Sequence, residues 1–307
     1  MKKIFAVAIS FNREEVTFSW IDSMQKVKTP GFDLELVIVD NASVKPFLPG
    51  SKRKNKNIHV VRSEINTGFT GGNNIGIRYA LSHGADYVLI INNDTLVDPD
   101  LVKNLLDTLE SDPKIGLSTP KIYFTKGHEF HKEKYSQKDL GKVLWYAGGF
   151  TDWENVKGIH RGVDEVDHGQ YDTVEKITFA SGCCMLCTKK VLETVGTFDE
   201  KYFLYYEDAD LCERILRAGY EIVYVPNAIV WHDNASSSGG SGNQLQDYFL
   251  TRNQMLFGMK YAPIRSKIAL FKQSMRYLLT GRLRQKQAIQ DYYLGRFGNG
   301  TYVNTSK

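Results

Sequence analysis

The feature that most restricts this chain is a set of short apolar runs that stop abruptly at polar residues. KIFAVAIS ends on Ser10-Phe11-Asn12, LELVIVD on Asp40-Asn41 and DYVLIIN on Asn92-Asn93-Asp94, with IHVVRS between the last two. Their interiors show no polar alternation, so both faces of each strand need cover, and helical patterning over 14–26 and 73–83 supplies it. The expectation is a wound α/β sheet whose ligands bind beyond the carboxyl ends of its strands.

The later sequence reads differently. A long polar stretch over 125–176 carries Trp145 and Trp153; an apolar strand over 177–187 and a helix opening at Glu207 follow. The division expected is a catalytic body over 1–235, a flexible Ser/Gly linker or flap over 236–243, and a basic amphipathic helical region over 244–307. Between Gln244 and Gly295 stand nine Lys or Arg against two Asp. Such a region suits a membrane surface, a cap on the body, or a homodimer contact. A net charge of +4 demands no nucleic acid. No run approaches spanning length, and the first apolar run is too short for a signal peptide, so the chain reads as cytoplasmic, peripheral at the inner face of the membrane. Cys183, Cys184, Cys187 and Cys212 read as buried, reduced thiols rather than disulfides or a zinc site.

Several clusters carry chemistry, each with a plainer reading beside it. Asn92-Asn93-Asp94 puts a carboxylate and two amides at a strand end, suited to a metal-bound diphosphate or to an Asx turn. Glu207 and Asp208 open a helix marked by Ala209, Cys212, Ile215 and Leu216, where a carboxylate serves as general base or only complements the helix dipole. His232, closing EIVYVPNAIVW, is a metal ligand alongside Asp94 or a surface residue. In Asn66-Thr67-Gly68-Phe69-Thr70-Gly71-Gly72-Asn73-Asn74 the glycines permit close approach to a phosphate or sugar, and the spacing is not that of a dinucleotide fold. Asp40 suits a base N–H or a ribose hydroxyl. Residues 128–131, HEFH, read as solvated surface; Trp145, Tyr146 and Trp153 read as core.

Taken in order, ISFNRE, IVDNAS, NTGFTGGNN, INNDT, FLYYEDADLCERI and VWH resemble the family 2 glycosyltransferases of the GT-A fold, over residues 3–255. WYAGGF, HRG, GQYD, FASGCCMLC and GTFDEKYFLYYEDADL are similar to bacterial rhamnosyltransferases of surface-polysaccharide synthesis. The resemblance implies that Ser10, Asn12 and Arg13, with Asp40 and Asn41, hold the nucleoside, and that Asn66, Gly68 and Asn73 line the donor site. It places Asn92, Asn93 and Asp94 at the family's Asp-x-Asp position, with Asp94 and His232 binding Mn or Mg, although Asn92 replaces the first aspartate. Asp208 becomes the base of an inverting displacement, with Glu207 positioning the acceptor or stabilising charge. The implied donor is dTDP-rhamnose, with a UDP-sugar as the alternative, and the implied acceptor is a glycan or lipid-linked glycan. A sugar nucleotidyltransferase would need a basic Gly-rich loop where Ser10-Phe11-Asn12-Arg13 stands, and a non-catalytic sugar-binding protein would not need Asp208.

Overall fold

The computed structural model describes residues 1–50, 57–233 and 243–302, so the linker expected at 236–243 lies outside the described residues apart from Asn243. The first half runs β1 (Lys2–Ser10), α1 (Glu14–Met24), β2 (Phe32–Asn41), β3 (Ile58–Ser63), α2 (Gly68–Ser82) and β4 (Tyr87–Ile91). Then come β5 (Thr95–Val97), α3 (Leu101–Ser111) and β6 (Ile115–Phe124). The middle holds short strands, β7 (Leu144–Tyr146), β8 (Gly149–Asp152), β9 (Lys157–His160) and β10 (Glu175–Ile177), before β11 (Cys184–Thr188) and α4 (Lys189–Val195). α5 (Glu207–Arg217) and β12 (Glu221–His232) complete the body, and α6 (Gln244–Tyr261), α7 (Ile264–Thr280) and α8 (Leu283–Tyr293) close the described chain.

The main sheet follows the order β10-β12-β6-β11-β4-β1-β2-β3, with β5 on β12 and β7 on β6. β3, β2, β1 and β4 are mutually parallel, and β11 enters antiparallel between β4 and β6. The centres of β1, β2 and β4, residues 4–8, 36–39 and 88–91, are continuously apolar and buried, as strands covered on both faces require. On one face α2 lies so close that a Cβ at Gly76 would come within 2.2 Å of Val7 Cγ1, which requires glycine there. On α3, Leu101, Val102, Leu105, Leu106 and Leu109 form the buried stripe of an amphipathic helix.

The single strand expected over 177–187 is two. β10 pairs with β12 and β11 with β4, and the segment between them crosses the strand ends. All four cysteines are free and buried, and burial pushes the Cys187 thiol up to about 12. Glu129, expected at the surface, is buried; its carboxylate accepts from the N–H groups of Gly127 and Gly141 at 2.9 and 2.7 Å. That closes a loop whose polar sequence gave no such signal. The C-terminal helices are not detached from the sheet. Met255, Phe257, Leu270 and Ile289 join the same apolar cluster as the strands, and Trp153 stacks on Phe257 with ring centroids 5.4 Å apart.

Candidate active site

Beyond the carboxyl ends of β1, β2 and β4 lies a cavity of about 680 Å³. Of the residues expected around the donor, Asn12, Arg13, Asn41, Asn66, Gly68, Asn73, Asn92 and Asn93 line it, together with Asp94. Ser10 and Asp40 do not; both are buried and engaged within the body. The Ser10 hydroxyl accepts from Thr17 Oγ1 at 2.9 Å. Asp40 accepts from the N–H groups of Ser43 and Phe47, each at 3.0 Å, and pairs with Arg62. Burial alone would push its carboxyl up, but these partners outweigh it and hold the group below its ordinary value.

The amides brace the cavity wall. Asn12, at φ 56, accepts from the Val44 N–H at 2.8 Å and so ties the end of β1 to the loop after β2. Asn41 Oδ1 accepts from the N–H and hydroxyl of Thr67, while its Nδ2 donates to Asn66 Oδ1 at 3.1 Å and to the Gly68 carbonyl at 3.0 Å. Gly68 has φ +72 and would drive a Cβ to 2.5 Å from the Phe203 carbonyl oxygen. That carbonyl accepts from the N–H groups of Phe69 and Thr70 at 2.8 and 3.2 Å. The first N–H groups of α2, which a helix start can offer to a phosphate, are therefore spent on the protein.

At the ends of β4 and β12, Asp94 and His232 are both buried, with Nε2 standing 3.2 Å from Oδ1. Neither nitrogen of His232 makes an aligned hydrogen bond, and the edge of the ring meets Trp145 at 4.7 Å. A facing carboxylate and imidazole in this state suit a divalent cation of the Mn or Mg kind. Among the described residues no group of three or more His, Cys, Asp or Glu can hold a metal. Asp94 and His232 thus stand as a facing pair rather than a three-residue group.

A second cavity, of about 630 Å³, lies at the mouth of α5. His160, Phe179, Tyr205, Tyr206, Glu207 and Asp208 line it from the body, and Thr251, Tyr277 and Arg282 from the C-terminal helices. Asp208 Oδ2 accepts from the Gly182 N–H at 3.1 Å and Oδ1 from the Ala209 N–H at 2.8 Å. Burial pushes the Asp208 carboxyl up, opposed by those N–H groups. Burial and the adjacent Asp208 push Glu207 well above its ordinary value, and its Oε2 has no hydrogen-bond partner in the described residues. Burial thus raises both carboxyls of this adjacent pair and favours their protonated forms. The segment between β10 and β11 links the two cavities, because Cys183 O accepts from the Asn92 N–H at 2.9 Å one residue beyond Gly182.

The turn before α5 is strained. Phe203, Tyr205 and Tyr206 have φ of 66°, 67° and 72°, a left-handed run that bulky residues adopt only when held. α6 holds it. Asn253 Nδ2 donates to the carbonyls of Tyr202, Leu204 and Tyr205 at 2.9, 2.8 and 2.9 Å. Arg252, fully buried, donates to the carbonyls of Lys201 and Tyr202 at 3.2 and 3.0 Å. Tyr206 is fixed from the other side by its hydroxyl, which donates to the Val156 carbonyl at 2.9 Å. The sequence reading missed Arg252 and Asn253; an adjacent Arg and Asn between the apolar triplets YFL and MLF was the available sign. It also missed Asn299 and Tyr302, which line the first cavity from beyond α8.

The sequence model described as Glycosyltransferase like family 2 matches residues 3–246. The low-salt glycan biosynthesis hexosyltransferase Agl10 of Haloferax volcanii is 25% identical over 223 residues, 72% of this chain and 66% of that one. The N-acetylglucosaminyl-diphospho-decaprenol L-rhamnosyltransferase of Mycobacterium tuberculosis is 30% identical over 156 residues, 50% of this chain and 49% of that one. The chain thus spans half to two thirds of the length of these relatives. A mannosyltransferase from Pyrobaculum calidifontis, solved in complex with GDP-Man and Mn2+, superposes with a TM-score of 0.54 at 15% identity, covering 95% of this chain and 74% of that one. That likeness gives the fold, GT-A.

Proposed function

Since the chain belongs to the glycosyltransferase-like family 2, we propose that it moves a sugar from a nucleotide donor to a hydroxyl acceptor with inversion. Two cavities carry the reading: an amide-lined one for the donor, and an acid-lined one for the acceptor whose Asp208 accepts from the Gly182 N–H. In it, Asp208 takes the proton of the acceptor hydroxyl as that oxygen attacks the anomeric carbon and the nucleoside diphosphate leaves. The N–H groups of Gly182 and Ala209 aim the carboxylate and offset part of the cost of its burial. Glu207, whose burial favours the protonated form, positions the acceptor from the same wall. Asp94 and His232 would hold Mn or Mg, which when bound supplies positive charge against the leaving diphosphate.

The donor in this reading is dTDP-rhamnose and the acceptor a glycan or a lipid-linked glycan. The sequence blocks shared with rhamnosyltransferases support the donor, as does the activity for which the mycobacterial relative is named. Among the described residues no helix is long and apolar enough to cross a membrane, so a lipid-linked acceptor would be met at a surface.

Calorimetric titration with dTDP, UDP and GDP, each with and without Mn or Mg, tests the proposal. Metal-enhanced binding of dTDP above the others is expected. Preference for UDP would move the donor to a UDP-sugar, and binding of none would overturn the transferase reading.

A further inference from the structure

α7 presents two faces of opposite use. Ser266, Leu270 and Ser274 are buried, and Tyr277, on the same side, lines the cavity that holds Glu207 and Asp208. On the other side Ile264, Ile268, Phe271 and Leu279 are each at least half exposed. With Met275 they occupy positions i, i+4, i+7, i+11 and i+15, a stripe about 80° wide at 3.6 residues per turn. Leu283, at the start of α8, is exposed as well. At that same spacing Arg265, Lys272 and Arg276 run along one edge of the stripe and Lys267 along the other. None of these four makes an ion pair in the described residues. No Asp or Glu occurs in the sequence between Asp247 and Asp291.

An exposed apolar stripe normally costs solubility and is retained where something covers it. Charge selects the occupant. A second copy related by a two-fold axis would bring one unneutralised basic edge against another, whereas an anionic bilayer neutralises both edges while the stripe enters the headgroup boundary. We propose that the outward face of α7 docks this protein on anionic lipid. The inference builds on the transferase reading with a lipid-linked acceptor: the helix lying on the bilayer would also carry Tyr277 in the wall of the acceptor cavity, beside the proposed base.

The test is flotation of the full chain with vesicles of phosphatidylcholine alone and of phosphatidylcholine with phosphatidylglycerol. Binding to the anionic vesicles, falling as salt rises, is expected. An Ile268→Ser/Phe271→Ser variant should lose at least about tenfold in vesicle affinity, because two side chains no longer enter the boundary. A Lys272→Gln/Arg276→Gln variant should lose about fivefold per charge on anionic vesicles only. These side chains face outward, so both variants should keep the wild-type dTDP affinity, and that titration reads the transferase proposal separately. Equal flotation of wild type and the Ile268/Phe271 variant would overturn the inference. So would a concentration-dependent dimer abolished by that variant in a chain that ignores vesicles, which would assign the face to a second copy.

Discussion

The two cavities are built in different ways. The first stands on the ends of parallel strands, and its amides are fixed by bonds between neighbouring strand-end segments, such as those of Asn41 to Asn66, Thr67 and Gly68. The second depends on a left-handed turn at Phe203, Tyr205 and Tyr206, held by Arg252 and Asn253 of α6, an 18-residue helix of about five turns. A strand end is placed by its own sheet, even where Phe203, Phe249 and Tyr302 complete the cavity wall. A strained turn keeps its shape only while distant partners over-determine it. The contrast teaches that damage should spread differently: loss at the strand-end amides should stay with nucleotide binding, and loss at α6 should reach the base more strongly than the donor cavity, to whose wall Phe203, Leu204 and Phe249 contribute.

The strongest way to break this contrast is at the base itself. Asp208→Asn should reduce release of dTDP from dTDP-rhamnose by about 10²–10⁴-fold, measured by stopped assay, with dTDP affinity unchanged. Next comes Asn253→Ala, which leaves three carbonyls without their donor. The melting temperature should fall, by an amount equivalent to about 1–3 kcal/mol, and kcat should fall more than KM rises. A loss of dTDP affinity as large as the loss of kcat would show that the two cavities are not separable in this way.

A smaller effect sharpens the acid–base assignment. Glu207 has its folded-state pKa raised, so its contribution to stability is complete below the unfolded value and is lost as pH rises through the folded one. Glu207→Gln, which cannot ionise, should therefore gain in melting temperature over wild type as pH is raised, in a calorimetric scan at several pH values. A constant difference across pH would place Glu207 in an ordinary ionised state. The smallest effect is expected at Tyr302, whose ring lies 5.4 Å from those of Tyr248 and Phe249 on the wall of the first cavity. Tyr302→Ala should weaken dTDP binding about threefold to tenfold and Tyr302→Phe should not, since the ring forms the wall.

The same division decides what could be read from sequence. β1, β2 and β4 were legible because continuous apolar runs and their polar stops are local signals, and the helix opened by Glu207 was legible from its period. The break between β10 and β11 was not, since FASGCCMLC is apolar across the loop as well as the strand; only pairing with β12 and β4 divides it. Asp40 looked available because a strand-end carboxylate usually is, and the sequence carried no sign that Ser43, Phe47 and Arg62 would surround it. Arg252 and Asn253 serve carbonyls about 50 residues earlier in the chain, a relation that no period records.

The most direct test of the account follows the anomeric signals by NMR while the full chain consumes dTDP-rhamnose with Mn present and water as the acceptor. A single displacement assisted by Asp208 predicts that the first sugar released has the anomeric configuration opposite to that of the donor. Release with the donor's own configuration would contradict the account, because it requires a second displacement that neither cavity is here assigned.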